Sequence, residues 1–266
     1  MSESADDKIL LKQIGDIAYL VFNNPTRHNA VSLAMWRRVN DYLQTFADNN
    51  PAVRVLVLCG AGGKAFVSGA DISRFEDERA DTAAVTEYNA QTRQVYQLLE
   101  ALPQPTIAMI DGYCIGGGLN LALACDIRIC SEKSSFGLPA ARLGLGYPAA
   151  SLRRLVTTVG PAWAKDIAFT GQRFDARKAL AINLVQHVLP AVQLDDFVRE
   201  YAQAIAANAP LTVRAMKAIV GELLKGEAAC DEAYCQQLVD ACFDSADYIE
   251  GRRAFMEKRT PCFQGK

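Results

Sequence analysis

The chain has 266 residues, 50% apolar and 22% charged, with a mean hydropathy of +0.03 and a net charge of −2. At roughly 150 residues per domain this is one large domain, or one domain with an appendage, and it can bury a real core. The composition excludes a wholly disordered chain, and the charge excludes nucleic-acid binding by bulk positive charge.

The longest stretch without a charge, residues 179–194, contains Asn183, Gln186, His187 and Pro190, so no membrane span is expected. The first residues, MSESADDK, show neither a secretory apolar region nor an Arg-rich transit helix. Eight cysteines are scattered without a CxxC, and only two histidines are present, which argues against structural zinc. Reduced thiols in a cytoplasmic protein are the expectation.

In chain order, Leu20–Phe22, Val53–Cys59, Thr106–Ile110 and Ile127–Cys130 are β-branched or apolar runs and read as strands. Between them, Leu33–Ala47 carries Trp36, Val39, Leu43 and Phe46 at helical spacing behind the cap candidate Ser32. Val85–Leu102 repeats the pattern with Val95, Leu98, Leu99 and Leu102. Strands alternating with helices imply parallel crossovers.

From about residue 148 the pattern is helical. Helices are predicted over 151–159, 162–169, 175–181, 194–208, 211–224, 229–243 and 246–258, with strand character only at 184–189. The organisation is an α/β core over residues 1–200 and a helical region over 201–266.

Two glycine turns carry the chemistry. Phe66-Val-Ser-Gly-Ala-Asp-Ile72 and Asp111-Gly-Tyr-Cys-Ile-Gly-Gly-Gly-Leu-Asn120 each follow a strand and open a helix. Glycines at 116–118 let the backbone approach a ligand, and a helix start offers free N–H groups and a positive dipole end. The arrangement suits an anion, or an oxygen that becomes one. Neither turn fits a GxGxxG, GxxxxGK[ST] or GxSxG pattern. The plain alternative is that the glycines only pack helix against strand. Two such turns about 50 residues apart weigh against that alternative.

FVSGADI and DGYCIGGGLNLALACDIRI resemble the two hallmark segments of the crotonase superfamily, that of enoyl-CoA hydratases and isomerases. Asn24-Pro-Thr-Arg-His-Asn-Ala30 resembles its early CoA-side loop. Ser135-Phe-Gly-Leu-Pro139 with Leu143-Gly144 resembles the next active-site segment, and Phe255-Met-Glu-Lys-Arg259 the C-terminal signature. The match runs from about residue 8 to 263. It implies a spiral of ββα units (ClpP/crotonase-like α/β) with a helical C-terminal trimerisation region, and a homo-trimer or dimer of trimers. It implies an acyl-CoA thioester as partner, with coenzyme A as part of the substrate and no separate cofactor.

By motif position, the resemblance makes the backbone N–H groups of Ala70 and Gly117 the donors to the thioester oxygen. Fixed donors there are each worth about 10²- to 10³-fold in rate. Thr26, Arg27 and His28 match the loop along the CoA phosphates and pantetheine, and Ser68 matches a carbonyl contact to adenine. Asp71 and Ile72 match the same segment, with helix capping the plain alternative for Asp71. Phe255 and Lys258 match positions that reach the nucleotide, often across a subunit boundary; a solvated surface charge is the alternative for Lys258.

The chain departs from the hydratase pattern. The family's two glutamates fall at Asn120 and Ala140, neither of which exchanges a proton near neutral pH. A helping N–H falls at Pro148, which has none. Slow or absent crotonyl-CoA hydration follows. Candidates to replace the glutamates are Tyr147, Arg142, Tyr113, Cys114 and the run Glu76, Asp77, Glu78, each with a structural alternative; His187 reads as structural. The leading expectation is an acyl-CoA lyase, isomerase or hydrolase that stabilises a thioester enolate. The alternative is a non-catalytic protein that binds and sequesters acyl-CoA. RNA binding finds no support in the charge.

Overall fold

The apolar runs become strands, and the residues between them become the helices that cover those strands. The computed structural model describes residues 5–71 and 81–266. The chain opens with α1 (Ala5–Lys8), then β1 (Ile9–Ile14) and β2 (Ile17–Phe22), an antiparallel hairpin that turns at Gly15. Next come α2 (Leu33–Gln44), α3 (Phe46–Asn49), β3 (Val55–Gly60) and β4 (Ala65–Val67). Ser32 caps α2 by accepting from the Met35 N–H.

The middle of the chain supplies α4 (Thr82–Ala101), β5 (Thr106–Ile110), β6 (Tyr113–Ile115), α5 (Gly117–Ala124), β7 (Ile127–Ser131) and β8 (Ser135–Gly137). Then follow α6 (Ala149–Thr170), β9 (Phe174–Asp175), α7 (Ala176–Ala181) and β10 (His187–Leu189). The helices α8 (Leu194–Ala206), α9 (Pro210–Leu223), α10 (Glu232–Phe243) and α11 (Ala246–Glu257) complete the chain. The two helices expected over 151–159 and 162–169 are α6, broken at Gly160 (φ +77°) before Pro161. No helix of the described residues is long and apolar enough to cross a membrane.

The large sheet has the order β1-β2-β3-β5-β7-β10, parallel from β2 onward. Central β3 shows why. Leu56 and Leu58 enter the core under α2, α4 and α5, while the alternate residues Val55 and Val57 enter a second core under α8. Each fully buried side chain of this kind stabilises the fold by about 1.5–3 kcal/mol. Residue 200 lies inside α8, whose Leu194, Val198, Ala202 and Ala206 all pack on the sheet. The C-terminal tail is tied back: Gln264 and Gly265 N–H groups donate to Asp247 of α11, and Arg54 donates to the Phe263 carbonyl.

The small sheet has the order β4-β6-β8-β9, with β4, β6 and β8 parallel. Three ββα units therefore repeat: β3-β4-α4, β5-β6-α5 and β7-β8-α6. This is the spiral the motifs implied. The parallel order sets the carboxyl ends of β4, β6 and β8 side by side, the side on which open α/β sheets bind ligands.

Candidate active site

Those three carboxyl ends are the motif segments. Ser68-Gly69-Ala70 leaves β4, Gly116-Gly117 leaves β6, and Leu138-Pro139-Ala140 leaves β8. Gly117 thus stands in the middle. The turn before it is held by the Gly116 N–H, which donates to the Gly137 carbonyl at 2.9 Å. Gly116 has φ +57°, which its missing Cβ permits.

Ala70 is aimed by a single parallel bridge to Val31. The Val31 N–H donates to Gly69 O at 2.9 Å, and the Asp71 N–H donates to Val31 O at 3.2 Å. In such a bridge the middle residue turns its own N–H to the other side. The turn runs next to β6, since the Ile115 carbonyl lies 3.3 Å from where a Gly69 Cβ would stand. Gly117 is the first residue of α5, where N–H groups have no intrahelical acceptor. Neither the Ala70 nor the Gly117 N–H has an acceptor among the described residues. Two main-chain donors, one at a dipole end, can hold an oxygen that gains negative charge.

One helical turn on from Gly117, buried Asn120 donates from Nδ2 to the Tyr147 hydroxyl. Burial pushes the Tyr147 phenol well above its ordinary value, with Asn120 and Arg154 opposing weakly. It stays a neutral donor. Ala140 is half-buried in the turn 139–143, and Pro148 caps α6 with its carbonyl. Positions 120 and 140 thus hold a neutral hydrogen-bonded pair and a methyl group.

The early loop is built by buried Asn29, which donates to Ala61 O and Ala65 O and accepts the Asn24 N–H. The Ser68 N–H hangs it from the His28 carbonyl. Thr26, Arg27 and His28 stand exposed on it. Tyr113 lies between the His28 ring and the Arg173 guanidinium. Arg142 lines an open cleft of about 360 Å³ with Ile115, Pro139 and Arg173, and its stem lies against Gly171.

The structure does not bring every expected residue together. Phe255 and Lys258 stand exposed at the end of α11 and make no hydrogen bond or ion pair to the glycine turns among the described residues. Cys114 is fully buried, and His187 packs between Phe197 and Tyr201. Ile72, Glu76, Asp77 and Glu78 lie outside the described residues.

Sequence reasoning gave no part in the site to four side chains. The Tyr96 hydroxyl donates to the Gly117 carbonyl at 3.0 Å. Trp36 Nε1 donates to the Tyr88 hydroxyl at 2.9 Å, which donates to Val31 O at 3.1 Å. Both tyrosines belong to α4, whose spacing reads simply as a core face. Arg128, the fourth, closes the far end of α5 by donating from Nη1 to Cys125 O.

The fold is a ββα spiral with two main-chain donors at the edge of its small sheet. The chain belongs to the enoyl-CoA hydratase/isomerase family, which it matches over residues 13–266. It is similar to the short-chain-enoyl-CoA hydratase of Clostridium acetobutylicum, at 32% identity over 95% of this chain and 96% of that protein. It is also similar to the methylmalonyl-CoA decarboxylase of Escherichia coli, at 29% over 95% and 96%. An enoyl-CoA hydratase/carnitine racemase structure from Magnetospirillum magneticum superposes with a TM-score of 0.90, at 37% identity, covering 98% of this chain and 97% of that one.

Proposed function

We propose that this chain is an acyl-CoA enzyme that holds a thioester oxygen between the Ala70 and Gly117 N–H groups and releases carbon dioxide from a malonyl-type thioester. The carrying observation is the neutral Asn120–Tyr147 pair beside two unoccupied main-chain donors. Decarboxylation needs no base. The bond from Cα to the carboxylate breaks, its electron pair passes into the thioester, and the oxygen in the cradle takes the charge. Cα then accepts a proton from the Tyr147 hydroxyl, which regains one from water. The similarity to a methylmalonyl-CoA decarboxylase supports this reading.

Coenzyme A runs along Thr26, Arg27, His28 and Ser68, with Asp71 in the same substrate-binding segment. Phe255 and Lys258 serve the nucleotide of a neighbouring subunit in a trimer or dimer of trimers, in the cytoplasm. A second reading, an acyl-CoA-sequestering protein, is favoured by the absence of both glutamates from a chain that keeps the CoA loop.

The test is mass spectrometry after incubation with enoyl-, 3-hydroxyacyl-, malonyl-type and 3-oxoacyl-CoA esters. Loss of carbon dioxide from a malonyl-type ester is expected. Conversion of a different ester overturns the decarboxylase assignment. An unchanged panel whose esters remain bound favours sequestration.

A further inference from the structure

The three glycines at 116–118 carry no side chain that could lock their dihedral angles, yet a catalytic donor must be held within a fraction of an ångström. Gly118 is fixed by its contact with Val67, and Gly116 by its bond to Gly137. Gly117 touches only two groups where a Cβ would be: the Tyr96 hydroxyl at 3.6 Å and Trp36 Cζ2 at 4.0 Å. The hydroxyl donates to its carbonyl.

The other donor has a parallel arrangement. Ala70 is aimed by Val31, and the Val31 carbonyl accepts from Tyr88 as well as from the Asp71 N–H. Tyr88 and Tyr96 lie eight residues apart on α4, about 12 Å along its axis. Trp36 joins them, bonding the first and meeting the ring of the second edge-on at 5.9 Å. Arg154 stacks on the Tyr96 ring while a two-pronged pair holds it to Glu100 of the same helix.

We infer that α4 sets the aim of both donors, Tyr96 acting as the positioning residue for Gly117 and Tyr88 for Ala70. The inference rests on the acyl-CoA reading above and gives the two tyrosine hydroxyls a task that phenylalanine could not perform. If the rings served only the core, removing the hydroxyls would change little.

The test is the infrared carbonyl band of an acyl-CoA labelled at its thioester carbon, bound to the protein, with kcat and KM alongside. The wild-type protein is expected to shift the band to lower frequency. In Tyr96→Phe the shift shrinks and kcat falls about tenfold, the scale of one hydrogen bond, while KM stays within about twofold because uniform binding is untouched. Tyr88→Phe behaves likewise, and because Trp36 contacts both rings the double variant departs from the simple product of the two factors. A wild-type band and kcat in Tyr96→Phe overturn the inference. A wild-type protein that shifts no band overturns the oxygen cradle itself, and the inference with it.

Should Tyr96→Phe fold poorly, 3-fluorotyrosine at position 96 keeps the ring and makes a stronger donor. A larger shift supports the assignment and an unchanged one overturns it.

Discussion

Gly118 lies so close to Val67 that a Cβ on it would stand 2.0 Å from the Val67 carbonyl oxygen. No side chain fits there without moving backbone. At Gly117 the nearest atom to such a Cβ is 3.6 Å away, an ordinary contact. The triple glycine is therefore divided between packing and chemistry. Gly118→Ala should lower stability by about 1–3 kcal/mol, as overpacking does, and displace the start of α5. Gly117→Ala should unfold at the wild-type temperature and keep its N–H. Gly117→Pro should lose the donor and, with it, about 10²–10³ in rate. Thermal unfolding and turnover of the three variants check this.

Tyr147 combines a half-buried ring with a hydroxyl bonded to Asn120. Tyr147→Phe removes the proton donor and keeps the shape. Turnover should fall by about 10²–10⁴, the usual worth of a general acid, with acyl-CoA affinity nearly unchanged. Crotonyl-CoA hydration should stay below about 1 s⁻¹. A faster rate, followed by absorbance of the enoyl thioester, would refute the reading of positions 120 and 140.

Arg128 is a buried cation that donates to the Leu184, Ala122 and Cys125 carbonyls. It neutralises the negative end of α5, opposite the end that carries Gly117. Arg128→Met removes these hydrogen bonds from buried carbonyls and should cost about 2–4 kcal/mol. The urea midpoint reports the loss, and Arg128→Lys should recover part of it.

Several buried acids have pKa values raised by burial. Tyr96 and Tyr147 are pushed well above 10.0, and the Cys59, Cys125 and Cys130 thiols rise from 9.0 to about 12. The unfolded chain releases these protons at ordinary values while the folded one retains them. Stability from this source is therefore fully present below about pH 9 and is lost as pH rises toward 12. Unfolding midpoints should be flat on the acid side of that window and drop steeply within it. A flat profile up to pH 11 would contradict the burial assigned to these groups.

Much of the fold was legible because burial leaves a period. Val53–Cys59 reads as a strand, and Val55–Gly60 is one, buried on both faces. Gly160-Pro161 announced the break in α6. The small sheet was not legible, since β4, β6 and β8 have three residues each and β9 has two, too few for any period. The site divides in the same way. Ala70, Gly117 and Asn120 could be placed from the glycine motifs. The Trp36–Tyr88 bond spans 52 residues of sequence and the Asn120–Tyr147 bond 27, so both exist only once the spiral has formed. Phe255 and Lys258 belong to a motif that ends exposed on α11.

The two donors of the cradle are amides of the main chain, not side chains. Every residue except proline carries that amide, so nearly any substitution at position 70 or 117 preserves the group while altering what surrounds it. Such a site is hard to erase by mutation and easy to surround differently. A lineage can exchange its acids, bases and acyl pocket one at a time while an oxygen still finds the same two hydrogens. On the proposed reading, Asn120 and Ala140 are two positions where that freedom has been used.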